Sequence, residues 1–137
     1  MEEVTKLTNE EIDAYAEFIV KVFDYDINPD SILKCIENNN ILVIKEDNKI
    51  IASLTYEERY EYVKNKKYYF ISYFGVIKEY RRKGLGTKLF EYLKEEIEKN
   101  NINYIELTSG NHRKAAHYFY RSRNFKIKDT TVFIKFY

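Results

Sequence analysis

The stretch YFISYFGVIKEYRRKGLGTKLF, Tyr69 to Phe90, decides how the rest of the chain is read. From Tyr68 to Ile77 the residues are aromatic or β-branched almost without a break, the pattern of a strand covered on both faces. Beyond it the period changes to about 3.6, and Leu85, Leu89, Phe90, Leu93 and Ile97 fall on one helical face. Between strand and helix stand Arg81, Arg82 and Lys83, with Lys88 one turn inside. Cations are the wrong charge for a helix start, whose free N–H groups and dipole favour anions. A bound polyanion resolves the conflict, because phosphates satisfy the amides and the cations together. Gly84 and Gly86 let the backbone approach such a ligand closely. The turn therefore predicts a phosphate-bearing ligand.

Working outward, Leu7-Thr8-Asn9-Glu10-Glu11-Ile12 reads as a helix start, with Thr8 as cap, Glu11 closing a capping box, and Leu7 and Ile12 as the staple. Ile12, Tyr15, Ala16, Ile19 and Phe23 mark its buried face. Asn28 and Pro29 open a second helix that buries Ile32, Leu33, Cys35 and Ile36. A strand over 41–45 and another over 50–62 flank the Asp47-Asn48 hairpin turn, and Asn65 sits in the next turn. A strand over 103–108 follows the basic-turn helix. Ser109-Gly110-Asn111 then caps a last helix running to about Arg123, which Asn124 ends in the left-handed conformation. Strands over 125–128 and 131–137 close the chain, and Val4–Lys6 is a short extra strand. The expected architecture is α/β (α+β), one domain over residues 1–137, with a mixed, twisted central sheet flanked by helices.

The bulk numbers narrow the function. A chain of 137 residues, 45% hydrophobic and 33% charged, is long enough for one core. A formal net charge of +1 supplies no global attraction to nucleic acid or an anionic membrane. No apolar run approaches the roughly 20 residues of a membrane span, and the acidic N-terminus lacks a signal-peptide layout. The single cysteine, Cys35, rules out an intrachain disulfide framework, and His112 and His117 with that one remote thiol make a poor metal set. These features favour a cytoplasmic protein with no metal, nucleic-acid or membrane partner.

Phosphate motifs must then be separated. A dinucleotide fingerprint needs a third glycine where Leu89 stands, and a P-loop needs a different spacing before its Lys. Arg81-x-x-Gly84-x-Gly86, after an aromatic strand ending in Gly75-Val76, instead resembles the acyl-CoA loop of the GCN5-related N-acetyltransferases. A second stretch, Ala116-His117-Tyr118-Phe119-Tyr120, followed by Asn124-Phe125 where the family commonly has Gly-Phe, resembles that family's C-terminal signature. Both Asn and Gly tolerate positive φ, so the departure is mild. The resemblance runs from about Ile41 to the C-terminus.

It implies acetyl-CoA as cofactor and transfer of an acetyl group to a primary amine of a small molecule or peptide by direct attack in a ternary complex. It implies that the backbone of Arg82, Lys83, Gly84, Leu85, Gly86 and Thr87, with Arg81 ahead of them, holds the pyrophosphate. The pantetheine arm would pair with the strand near Phe74 and Val76, where Gly75 marks a bulge, and Asn111 would contact the same arm. Tyr120 would protonate the departing thiolate. Some members carry a glutamate on the central strand, but residues 68–76 hold no acid. The even positions from Ile50 to Tyr62 form one strand face on which Glu58 alone is charged, so Glu58, partly buried, is the candidate base, directly or through water, with Glu106 in reserve. Plainer readings are a solvated turn at 81–86, a core aromatic at Tyr120 and a surface charge at Glu58. A non-catalytic acyl-CoA-binding sensor of the same fold is the alternative function. A homodimer is common in the family, and the closing segment 133–137 could support one.

Overall fold

The computed structural model describes residues 3–137, in two compact units, Met1–Leu107 and Thr108–Tyr137. The first unit is built on a five-stranded sheet in the order β1 (Val4–Lys6), β2 (Asn40–Glu46), β3 (Lys49–Glu61), β4 (Lys66–Val76) and β5 (Tyr104–Leu107). Neighbours pair antiparallel except β4 and β5, which are parallel, so the sheet is mixed. The helices α1 (Ile12–Phe23) and α2 (Pro29–Asn38) cover one face, and α3 (Leu85–Lys99) covers the other.

Local chemistry explains most boundaries. The Glu11 carboxylate accepts from the Thr8 backbone N–H at 2.9 Å and from its hydroxyl at 3.1 Å, fixing the entry to α1 through a short 3₁₀ turn. Lys45 on β2 also donates to Glu11, which ties that turn to the sheet. Asn28 caps α2 by accepting from Asp30 N–H at 2.9 Å, with Pro29 at the first helical position. Asp47 and Asn48 both take positive φ, as a two-residue hairpin turn requires, and so does Asn65. Tyr15, Phe18, Ile19 and Ile32 meet Ile41 and Val43 in one core layer. Leu85, Leu89 and Leu93 meet Leu42, Ile44, Leu54, Tyr56 and Ile71 in the other.

Several details differ from the sequence expectation. Leu33 is exposed, because Ile32 rather than its neighbour points at the sheet. Ile50 joins the α1 side while Ala52, Leu54 and Tyr56 join the α3 side, so the even positions of β3 do not share one face; the register shift at Ile44/Lys45 breaks the alternation.

The second unit holds α4 (Lys114–Ser122), ended by Asn124 at φ 67°. Asn111 does not cap it: Arg113 N–H bonds Gly110 C=O at 3.0 Å in a turn, and the helix starts one residue later. The expected strand pair over 125–128 and 131–137 is absent among the described residues. Val132, Phe133, Ile134 and Phe136 stand exposed there. Thr130 N–H bonds Lys128 C=O at 3.0 Å there, but an isolated two-stranded hairpin is marginal in water.

Candidate functional site

At the end of β4 the chain makes a 3₁₀ turn over Lys78–Tyr80 and enters α3 through the basic turn. Arg82 takes φ 63° and Gly84 φ 80°, so two left-handed residues shape the turn just before the helix. A Cβ on Gly84 would meet nothing within 4 Å, so the space over its backbone is open to a ligand. Gly84 is the N-cap of α3 and uses no side chain to satisfy the first amides of the helix; its carbonyl accepts from Lys88 N–H at 3.0 Å. Arg81, Arg82 and Lys83 are exposed around this turn. Curled backbone N–H groups, a helix N-terminus and exposed cations together fit a pyrophosphate.

Two side chains brace the turn. Arg81 Nε donates to Val76 C=O at 3.1 Å, locking the turn onto the last residue of β4. Tyr80 donates its hydroxyl to Glu46 on β2, and Lys83 Nζ lies 5.3 Å from the centre of the Tyr80 ring. Arg81 thus shapes the turn through its own side chain.

Upstream, β4 contains the expected bulge. Ser53 pairs with Gly75 but Thr55 pairs with Ser72, so β4 carries one extra residue between them. The residue that absorbs it is Tyr73, at φ 49°, not the glycine. A bulky side chain in the left-handed region is a strained feature of the kind that gathers at functional sites. Tyr73 packs edge-on against Phe23 at 5.3 Å, which holds it there. Gly75 answers a different need: a Cβ would lie 2.7 Å from Val22 Cγ1 and 2.9 Å from Phe23 Cζ, so the glycine lets α1 close onto the strand. Phe74 turns to the opposite side, edge-on to Phe90 of α3 at 5.1 Å. Sequence reasoning reached the bulge through Gly75, but nothing in the sequence marked Tyr73 as its strained member.

The sheet face under α1 and α2 gathers polar groups near this bulge. Tyr15 is buried with the hydroxyls of Thr55 and Ser53 beside its phenol, and burial pushes its pKa up. The Cys35 thiol of α2 is also pushed up, by burial first and by the charge of Glu57 after it. Glu57 itself takes both Nε, at 2.7 Å, and Nη2 of Arg59 on one oxygen, Oε1.

Glu58 lies elsewhere. It is exposed and faces Tyr69, whose ring packs against Tyr56 at 4.7 Å on the α3 side of the sheet. The expected partial burial fails because β2 pairing stops opposite Tyr56, so beyond it β3 becomes the edge of a sheet that continues only through β4 and β5. Asn100, just past the end of α3, donates to the Tyr69 hydroxyl at 3.0 Å. Glu58 therefore neighbours the C-terminal half of α3; the helix rises roughly 16 Å between Leu85 and Glu96 at about 1.5 Å per residue. Glu106 sits half-buried on β5, opposite Phe70.

In the second unit Tyr120 is half-buried on α4, 5.8 Å from the Phe119 ring and 5.4 Å from Phe125. Its carbonyl accepts from Phe125 N–H at 3.1 Å. Burial raises its pKa, against a smaller opposing pull from Arg113, so the phenol stays protonated across the neutral range. Asn111 is exposed in the turn before α4. Among the described residues no three His, Cys, Asp or Glu side chains form a metal-binding group, and no helix is long and apolar enough to cross a membrane.

The family model of the acetyltransferase (GNAT) family matches residues 5–125, and the chain belongs to that family. It is 27% identical over 96 residues to the S-alkylcysteine N-acetyltransferase of Bacillus subtilis (strain 168), a match covering 67% of this chain and 54% of the relative. The chain thus spans about half the length of that relative. Among solved structures it resembles a ribosomal-protein-alanine N-acetyltransferase from Brucella melitensis, with TM-score 0.83 and 13% identity over 98% of this chain and 99% of that one. It also resembles an aminoglycoside antibiotic 6'-N-acetyltransferase from Acinetobacter baumannii, with TM-score 0.83 and 17% identity over 100% and 99% of the two chains. At these identities the likeness to solved structures is one of fold.

Proposed function

We propose that the protein is an acetyl-CoA-dependent N-acetyltransferase acting on a small primary amine, with residues 1–137 working as one catalytic domain. The observation that carries this reading is the turn from Arg81 to Thr87, where two left-handed residues, an open glycine and a helix N-terminus meet exposed cations. The backbone of Arg82, Lys83, Gly84, Leu85, Gly86 and Thr87 would hold the pyrophosphate of the cofactor, with Arg81 bracing the turn. The bulged strand at Phe74 and Val76 would align the pantetheine arm, and Asn111 would add a contact to it. When bound, acetyl-CoA supplies an activated acyl carbonyl and a thiolate leaving group.

The chain's own residues then have distinct tasks. Tyr120 holds a proton for the departing sulfur, and its raised pKa keeps that proton available at neutral pH. The amine must lose a proton before or during attack. Water can take that proton, and Glu58, being exposed, is not required as its direct acceptor. No acyl-enzyme is needed, and Cys35 lies on α2 with its thiol held protonated by burial. The curated relative's name, S-alkylcysteine N-acetyltransferase, supports a small amine as acceptor and a place in the cytoplasm fits such a substrate.

Release of free CoA from acetyl-CoA, followed with a panel of primary amines, tests the reading. Release that depends on both amine and the basic turn supports the enzyme. A second reading, a non-catalytic acyl-CoA sensor, draws on the lack of any acidic residue within Lys66–Val76, and it predicts binding without release for every amine tried.

A further inference from the structure

The last turn of α1 grips the β4 bulge at two points, and that grip bears on the proposed acyl-CoA site. Leu54 of β3 stands opposite two residues of β4, Tyr73 and Phe74, because Ser53 pairs with Gly75 and Thr55 with Ser72. Tyr73 absorbs the extra length at φ 49°, a conformation that a bulky residue keeps only where its surroundings enforce it. The enforcing contact is with Phe23, the last residue of α1, whose ring meets the Tyr73 ring edge-on at 5.3 Å and 89°. With Tyr73 itself 55% exposed, that contact is the main restraint on its ring. Two residues on, Gly75 lies against the same turn: an added Cβ would fall 2.7 Å from Val22 Cγ1 and 2.9 Å from Phe23 Cζ.

Phe23 is in turn fixed from within α1. Asp24 takes φ 58° and donates its N–H to Val20 C=O at 3.0 Å, which ends the helix at Phe23. Phe18 lies edge-on to Phe23 at 6.3 Å, and Tyr15 stacks on Phe18 at 6.1 Å. The Tyr15 phenol ends this ladder beside the hydroxyls of Ser53 and Thr55, the two β3 residues that bracket Leu54. One end of the ladder thus meets β3 on both sides of the register break, and the other meets the left-handed residue of β4. On the opposite sheet face Phe74 packs edge-on against Phe90 of α3 at 5.1 Å, so the two bulge residues are held by different helices. The aromatic face of α1 therefore sets the backbone course of the strand on which the pantetheine arm is proposed to lie.

We propose that Phe23 is a positioning residue for acyl-CoA binding: by holding Tyr73 left-handed, it keeps the bulge in the shape that the pantetheine arm pairs with. This rests on the acetyl-transfer reading for its consequence, while the backbone shape is measurable without ligand. Glycine takes positive φ without steric cost, so the Phe23 contact should matter only while residue 73 carries a Cβ. Phe23→Leu, which keeps the site apolar but removes the ring, should weaken acetyl-CoA at least tenfold in a calorimetric titration of the full chain. In the Tyr73→Gly background the same change should weaken it less than threefold. With Phe23 intact, Tyr73→Ala loses the gripped ring but keeps the Cβ, and should weaken binding at least tenfold; Tyr73→Gly should weaken it less than threefold. A general loosening of the core would make Phe23→Leu equally harmful in both backgrounds, and that result overturns the assignment. NMR scalar couplings of ligand-free, tyrosine-labelled protein read the sign of φ at residue 73, expected positive in the wild type and negative in Phe23→Leu. A φ that stays positive in Phe23→Leu overturns the proposal as well. If the wild type does not bind acetyl-CoA, the acetyl-transfer reading falls, and the couplings still decide whether Phe23 holds the bulge.

Discussion

Tyr120 and Gly75 show how differently a single side chain can matter. In the proposed mechanism, removing the Tyr120 hydroxyl takes away the proton held for the leaving sulfur but leaves the ring and its contacts with Phe119 and Phe125. Tyr120→Phe should therefore lower kcat at least tenfold while the acetyl-CoA dissociation constant stays within about twofold. An unchanged kcat would remove Tyr120 from the mechanism. Gly75→Ala places a methyl 2.7 Å from Val22 Cγ1 and 2.9 Å from Phe23 Cζ, contacts that must be relieved by moving those side chains or α1 itself. The cost should be about 1–3 kcal/mol in a urea melt, and an unchanged midpoint would show that α1 packs more loosely there. The sequence announced both residues, one through the family signature and the other as a bulge marker. It gave no warning of Tyr73, because a left-handed tyrosine is a consequence of pairing across the sheet, which composition does not display.

Elements were legible wherever local chemistry decides them. The Thr8–Glu11 box, the Asn28-Pro29 start, the Asp47-Asn48 turn and the Asn124 stop all act within a few residues, and all stand as expected. Expectations failed where a neighbour decides the outcome. Residues 125–137 have strand composition, yet composition cannot supply the sheet partner that a strand needs. Glu58 has the alternation of a half-buried residue, but β2 stops opposite Tyr56 and leaves it uncovered. From that overhang, Glu58→Gln is expected to keep kcat/KM within about twofold between pH 7 and 9, since water can carry the amine's proton in its place. A loss of tenfold or more would make Glu58 the base.

For the molecule as a whole, buried phenols tie stability to pH. Tyr56 and Tyr15 are buried and have folded pKa values pushed above the ordinary value, by desolvation first in each case. A raised pKa means stability that is present in full below about pH 10, where the unfolded phenol titrates, and lost as the pH rises toward the folded value. Each such tyrosine should cost about 1.4 kcal/mol per pH unit above that point. Unfolding free energy should thus be flat from pH 8 to 9.5 and fall beyond it, with Tyr56→Phe removing part of the slope; a slope untouched by that change would place the titration elsewhere. The central claim, an acyl-CoA site at the basic turn, is tested most directly by a thermal melt with acetyl-CoA and, as a phosphate control, with ATP. Ligand at 100 times its dissociation constant adds about 2.7 kcal/mol, worth roughly 5–10 °C for a chain of 137 residues. A shift of that size with acetyl-CoA and little with ATP is the predicted result, and no shift at millimolar acetyl-CoA would contradict it.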